Sequence, residues 1–150
     1  MRASRATQLI SALATSIALG ACSSQPNTPA PDAIVVLQNI PAADPTKYAD
    51  SREKKNWQNP YLIVRSDNVG LLTSVTANQE KILKPEEVLD ALAHLPRSAW
   101  PFGRVAAILV QESPSSSEQE KVALRRNRGA VAGALERAHV EIDWMPAPKP

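Results

Sequence analysis

Cysteine and aromatic residues are scarce in this sequence. Among 150 residues there is one cysteine, Cys22, with three Trp, two Tyr and one Phe. A single cysteine excludes an internal disulfide, so a folded domain has to be stabilised by its apolar core. The sequence also lacks the His/Cys/Asp/Glu spacing of metal sites, a glycine-rich phosphate loop and a nucleophile elbow. We therefore expect no metal, no cofactor and no enzymatic activity.

An excess of charge of one sign is also missing. The formal net charge is +2, from 17 basic and 15 acidic residues. Arg2 and Arg5 lie in a segment that we expect to be removed, and without them 15 basic residues stand against 15 acidic ones. A neutral protein has no electrostatic footprint for nucleic acid, so we do not predict nucleic acid as a partner.

Long apolar runs are absent, and the chain begins with a shorter one. The weakly apolar stretch Leu9–Leu19 spans 11 residues, whereas a transmembrane helix needs roughly 20. It follows a basic segment and leads through two small residues, Gly20 and Ala21, to Cys22. This arrangement is typical of a secretory signal peptide.

The run Leu19-Gly20-Ala21-Cys22 resembles the lipobox of bacterial lipoproteins. The resemblance implies that residues 1–21 are a signal peptide and that Cys22 becomes the lipid-bearing first residue, with palmitate-type acyl chains. At about 0.8 kcal/mol per buried CH₂, one chain anchors a protein weakly, whereas two or three hold it in the membrane. The alternatives are an ordinary secretory signal that contains a Cys and an uncleaved anchor.

The residue after the cysteine bears on the membrane that is reached. In many Gram-negative bacteria an Asp at that position retains a lipoprotein in the inner membrane, and here the position is Ser23. The resemblance therefore implies the cell envelope, with the protein facing the periplasm from the outer membrane and the inner membrane as the alternative.

Proline is unevenly distributed: of 13 in the chain, six lie before residue 61 and three lie after Met145. Proline fixes φ and removes a backbone donor, so residues 22–56 are predicted to be a flexible tether and residues 146–150 a tail. The 34 residues after Cys22 would have an r.m.s. reach of roughly 30–35 Å. Ala33–Leu37 is apolar and β-branched, which predicts either an extra strand docked on the domain or a disordered apolar patch.

Residues 57–145 show the patterns of a folded domain. Tyr61–Arg65 and Leu71–Val75 are predicted strands, and the turn residues between them favour a hairpin. Arg104–Val110 is a continuous apolar run, as expected for a central strand. Val140–Trp144 alternates apolar and acidic residues, which predicts a half-buried last strand.

Two helices are predicted between these strands. Pro85, followed by two glutamates, is typical of a helix start, and that helix stops at Pro96. Ser117-x-x-Glu120 is a capping box that opens a longer helix, about Glu118–Ala138. Asn127 falls on its apolar side, where we expect its side chain to bond a backbone group at the helix–sheet contact.

These elements predict an α+β domain of modest size. The sheet is expected to be mixed, with about four strands and with two helices on one face, in the order β-β-α-β-α-β. Strand–helix–strand units imply right-handed crossovers.

The element order, the turn containing Asp67 and the closing strand that ends in Met145-Pro146 resemble the periplasmic domain of ExbD/TolR proteins. Those proteins carry a membrane helix with a proton-linked Asp. Because this chain has a lipobox in place of that helix, the resemblance implies no motor activity.

Leu83-Lys84-Pro85-Glu86 and the helical run Leu124-Arg125-Arg126 resemble the OmpA-like peptidoglycan-binding domain. That family holds a peptidoglycan amine and carboxylate with an Asp after the central strand and an Arg on the next helix. Here Gln111-Glu112-Ser113 replaces the Asp motif, so no binding residue is transferred outright.

Two groups of residues are candidates for ligand or partner binding. Arg125, Arg126 and Arg128 are suited to carboxylates or anionic headgroups, and the alternative is a solvated helix face. Trp100 and Phe102 lie in a loop, where they would anchor a protein partner or cover the end of the core.

The leading expectation is a membrane-anchored envelope lipoprotein with a non-enzymatic domain that binds an envelope protein or a cell-wall component. The alternatives are a peptidoglycan-binding domain of OmpA-like type and an enzyme of unrecognised class.

Overall fold

The computed structural model describes residues 32–49, 56–74 and 76–146. The predicted signal peptide, the run that resembles a lipobox and Cys22 lie outside these residues. The described residues form a mixed α+β fold around one five-stranded sheet. The elements in chain order are α1 (Ala33–Gln38), α2 (Pro45–Tyr48), β1 (Tyr61–Val64), β2 (Val69–Leu72), β3 (Lys81–Leu83), α3 (Val88–Ala93), β4 (Val105–Val110), α4 (Glu118–Arg137) and β5 (Glu141–Met145).

The strands lie in the order β3-β2-β1-β4-β5. β1 and β2 form the predicted antiparallel hairpin, but β2 spans Val69–Leu72 and not the predicted Leu71–Val75; β3 continues the hairpin as a third antiparallel strand. β4 pairs in parallel with β1 on one side and with β5 on the other, with Leu62 opposite Ile108 and Ala107 opposite Asp143. The predicted fold class is therefore confirmed, with five strands where about four were expected.

β3 is the strand that the sequence did not predict. It has only three residues, Lys81–Leu83, and an edge position in the sheet. Short edge strands that carry lysine are a common protection against edge-to-edge pairing, and they leave little apolar alternation to detect.

The main core lies between the sheet and its helices. Side chains from the helix-facing side of the strands pack against the apolar stripes of α3 and α4. Val88 and Leu92 of α3 and Leu135 of α4 are fully buried. This arrangement agrees with the predicted placement of two helices on one face of the sheet.

A smaller cluster covers part of the opposite sheet face. The rings of Tyr48, Trp57 and Phe102 contact one another, with centroid distances of 5.5–6.1 Å. They pack with Tyr61 and Val105. Burial raises the pKa of the Tyr61 hydroxyl above its ordinary value.

The segment 32–49 belongs to the folded domain, so the tether predicted for residues 22–56 is too long. Ala33–Gln38 docks as a helix, not as a strand, and Leu37 is fully buried in the main core. Ala42 forms a parallel bridge with Arg104 beside the sheet. Asp32 caps α1 by accepting from the N–H of Ile34. The β-branched residues of this segment have a weak local preference for strand, and tertiary packing overrides that preference and makes the segment helical.

α4 begins and ends as the sequence predicts. Ser117 and Glu120 form the reciprocal bonds of a capping box. At the other end His139 has φ +55°, and the N–H groups of His139 and Val140 bond back to Glu136 and Leu135. This pattern is a Schellman motif with His at the left-handed position. Among the described residues, no helix has the length and apolar character needed to cross a membrane.

Candidate binding surface

The three candidate arginines of α4 do not lie together. All three side chains are exposed, but Arg125 and Arg128 lie on the flank of α4 next to the end of β4, where Arg128 also reaches Trp144 of β5, whereas Arg126 lies on the opposite flank. Residues three apart share one side of a helix, and adjacent residues are turned by about 100°. The structure therefore separates a pair of arginines from the third.

Arg128 stacks on the indole ring of Trp144. The Cζ atom of its guanidinium lies 4.5 Å from the ring centroid. Trp144 is on β5 and is 41% exposed, which is unusual for so large an apolar side chain. The ring quadrupole attracts the cation, and the Arg128 side chain remains exposed in this position.

Arg125 lies one turn before Arg128 and borders a small cleft. The cleft has a volume of about 250 Å³ and is also lined by Val110, Glu112, Lys121, Leu124 and Arg128. Lys121 pairs with Glu118 at 2.8 Å. Among the described residues, neither Arg125 nor Arg128 has a carboxylate within ion-pair distance. We refer to Glu112, Lys121, Arg125, Arg128 and Trp144 as the α4–β5 surface.

Arg126 borders a different depression, which lies between α4 and the segment 84–86 that precedes α3. Its neighbours there include Ser66, Asp67 and Lys84. The adjacent Asn127 is 5% exposed, and its amide donates to the backbone oxygens of Arg65 and Ser66, both at 3.0 Å. The prediction that Asn127 bonds backbone at the helix–sheet contact is confirmed, and the role of this flank is to hold the β1–β2 turn.

Trp100 and Phe102 are buried, so neither side chain presents a surface to a partner. Trp100 is 4% exposed and packs in the main core, while Phe102 is 9% exposed and belongs to the aromatic cluster on the other sheet face. The two side chains of one loop thus close the core on both sides of the sheet. This placement corrects the idea of a partner anchor and agrees with its alternative, a cover for the end of the core.

A polar crevice lies at the carboxyl ends of the parallel strands β1 and β4, from which the chain continues toward opposite edges of the sheet. Such a divergence of parallel strands is where α/β sheets commonly bind ligands. Here, however, the central cation is already occupied, because Arg65 bonds Gln111 at 2.7 Å, Asn68 at 3.2 Å and the carboxylate of Glu80. The polar groups of this crevice hold the fold together, so we regard it as the weaker candidate.

Glu120, at the start of α4, also borders this crevice. The backbone N–H of Ser117 donates to its carboxylate, and this bond holds the pKa of Glu120 below its usual range. Within the described ranges, no three His, Cys, Asp or Glu side chains lie close enough together to hold a metal ion.

Sequence reasoning missed two residues that matter. Trp144 was predicted only as part of a half-buried strand, because alternation does not show which strand forms the sheet edge. Asn59 was not singled out. It is fully buried, and it donates to the oxygens of Gly103 and Val105 and accepts from the N–H of Phe102. No local signal identifies such a residue, since its three partners are distant in sequence.

Comparison with known proteins adds no relative: no protein-family model matches the chain, and neither a curated protein nor a solved structure matches it.

Proposed function

We propose that this protein is a lipid-anchored protein of the cell envelope whose folded domain is a non-enzymatic binding module. The observation that carries the binding role is the α4–β5 surface, where an exposed Trp is stacked by an Arg beside a second Arg that has no ion-pair partner among the described residues. Trp and Arg are the residues that most often dominate interface energetics. The lipobox ending at Cys22 supports the anchor.

The proposed anchor places this surface near the membrane. Nine residues, 23–31, lie between Cys22 and Asp32, the first described residue of the domain. The ten Cα–Cα steps from Cys22 to Asp32 span at most about 36 Å, whatever the conformation of the segment. The amino end of the described domain would therefore lie within about 36 Å of the anchor, whereas a fully extended tether reaching residue 56 would allow about 120 Å.

The anchor is tested by labelling cells with a palmitate analogue. The full chain should carry the label in the membrane fraction, and Cys22→Ser should lose both the label and the membrane association. An unlabelled wild-type protein, or a mature protein that still contains residues 1–21, would contradict lipidation.

The binding role is tested by in vivo photo-cross-linking. A photoreactive residue in place of Trp144 should give a discrete adduct, and one in place of Val35, which is 54% exposed on α1, should not. The adduct from position 144 should weaken when Arg125→Ala and Arg128→Ala are added. The same adduct pattern at both positions, or no adduct at position 144, would argue against a binding surface here.

A second candidate function is peptidoglycan binding, and one observation favours it. Glu112 lines the same cleft as Arg125 and Arg128, so a carboxylate for an amine and guanidinium groups for a carboxylate are present together. Purified sacculi should retain the full protein, and the double variant Arg125→Ala/Arg128→Ala should be released. Arg126→Ala, on the opposite flank, is the matched control. Retention that is absent, or equal in all three proteins, removes this candidate.

A further inference from the structure

The outer edge of β5 carries backbone groups that the sheet does not use. The N–H of Glu141 donates to the oxygen of Arg104, so Glu141, Asp143 and Met145 direct their backbone groups toward β4. Backbone direction alternates along a strand, and Ile142 and Trp144 therefore direct theirs away from the sheet. Among the described residues, β5 pairs with β4 alone.

The same two residues have their side chains on the helix-facing side, next to the basic flank of α4. Ile142 packs against the main core, and Trp144 lies under Arg128. Alternate side chains of a strand added to β5 would therefore fall beside Trp144, Arg128 and Arg125. The opposite face of β5 presents two acids, Glu141 and Asp143, so the two faces of this edge differ in charge.

Resting on the function proposed above, we infer that this edge binds an extended acidic segment of a partner protein, which adds as a strand to β5. Backbone bonds to Ile142 and Trp144 supply the attachment. Acidic side chains at alternate positions meet Arg125 and Arg128, and the residues between them, which face Glu141 and Asp143, are neutral or basic. The charge pattern therefore selects both the partner and its register.

A second copy of this chain fits the edge less well. Antiparallel pairing of two β5 strands about a two-fold axis at Asp143 sets Asp143 against Asp143, and an axis at Ile142 sets Glu141 against Asp143. An axis at Trp144 sets the two Trp144 side chains side by side, each with the Arg128 cation over its ring. Like charges directly opposite one another destabilise a strand pair. Such a dimer would also place two basic α4 flanks on the same face.

The inference is tested with the purified full-length protein in detergent and fluorescent peptides of six residues, read by anisotropy. A capped peptide of alternating Glu and Val should bind. A peptide of the same composition with its three Glu in one block should bind at least fivefold more weakly, since its acids cannot all face α4. N-methylation of all backbone amides of the first peptide should abolish binding, because it removes strand addition without changing charge.

Protein variants separate the charge contribution from folding. Arg125→Ala/Arg128→Ala should weaken binding of the alternating peptide at least tenfold, and Arg126→Ala should stay within twofold of wild type. Circular dichroism checks that all variants fold. Equal binding of the methylated and unmethylated peptides, or equal binding of both arginine variants, would overturn the inference.

Other occupants have their own readouts. Binding of the protein to phosphatidylglycerol vesicles that depends on Arg125 and Arg128, with no peptide binding, would assign the surface to the membrane and overturn the inference. Dimerisation of the detergent-solubilised protein that Asp143→Asn strengthens would assign the edge to a second copy. If cross-linking from position 144 succeeds while every peptide fails, the binding function stands and the acidic-strand inference falls.

Discussion

The guanidinium of Arg128 lies over the indole of Trp144, at 4.5 Å from the ring centroid, and joins the long helix to the edge strand. At an exposed site such a contact contributes about 0.5–1 kcal/mol. We therefore expect Arg128→Ala to lower the free energy of unfolding, measured in urea, by less than about 1 kcal/mol. A larger loss would mean that Arg128 stabilises the fold beyond this single contact.

The docking of α1 on the domain predicts an asymmetric pair of mutations. Leu37→Ala removes a fully buried side chain and should cost about 3 kcal/mol of unfolding free energy. Val35→Ala, in the same helix but 54% exposed, should change it by less than about 0.5 kcal/mol. Urea unfolding of the two variants is the measurement. If both substitutions change the unfolding free energy by equally small amounts, α1 does not dock on the domain and the longer tether is correct.

The buried amide of Asn59 connects the start of β1 to the loop before β4. Asn59→Ala would leave the oxygens of Gly103 and Val105 and the N–H of Phe102 each without this partner. With three bonds lost in a fully buried site, the expected cost is about 3 kcal/mol or more. Gln58→Ala, an exposed neighbour, serves as the control for thermal unfolding and should leave the midpoint nearly unchanged.

Two glycines should respond to alanine in opposite directions. Gly129 is exposed in the middle of α4, and an added Cβ meets no atom within 4 Å, so Gly129→Ala should stabilise the protein by about 1 kcal/mol. Gly103 has φ +82°, and an added Cβ would lie 2.2 Å from the backbone oxygen of Ala42. Gly103→Ala should therefore cost more than about 2 kcal/mol. Matched denaturation curves decide both, and a stabilising Gly103→Ala would contradict the bridge between Ala42 and Arg104.

The capping box predicts part of the acid sensitivity. The Ser117 N–H holds the pKa of Glu120 below its ordinary value. A lowered folded-state pKa contributes stability that is present above the unfolded pKa and is lost as pH falls through the folded one. Glu120→Gln keeps an acceptor oxygen but cannot titrate. Its unfolding free energy should therefore fall less than that of wild type between neutral pH and about pH 3. Parallel losses in the two proteins would show that this bond does not couple to protonation.

Several features of the fold were predictable because their signals are local. The capping box places the start of α4, the continuous apolar run predicts β4 as a central strand, and the alternation at Val140–Trp144 predicts β5. Each signal depends on residues that are close together in the chain, so the sequence contains the information needed to predict the element.

The candidate surface was predictable only in part. Arg125 and Arg128 were among the candidate residues, but their separation from Arg126 follows from where β5 and α3 lie beside α4. Trp100 and Phe102 were candidates by composition, and packing against both faces of the sheet buries them. The order of strands makes Trp144 an edge residue, and neighbouring residues in the chain do not specify that order.

The sequence by itself determined the lipobox expectation, the near-neutral charge, the α+β class and the limits of the long helix, because composition and short-range periodicity are properties of the chain alone. Tertiary structure decided that Ala33–Gln38 docks as a helix, that Asn59 is a buried connector and that an Arg–Trp pair lies on a sheet edge that the described residues leave unpaired. These features depend on which residues distant in sequence become neighbours, and only the folded arrangement determines that.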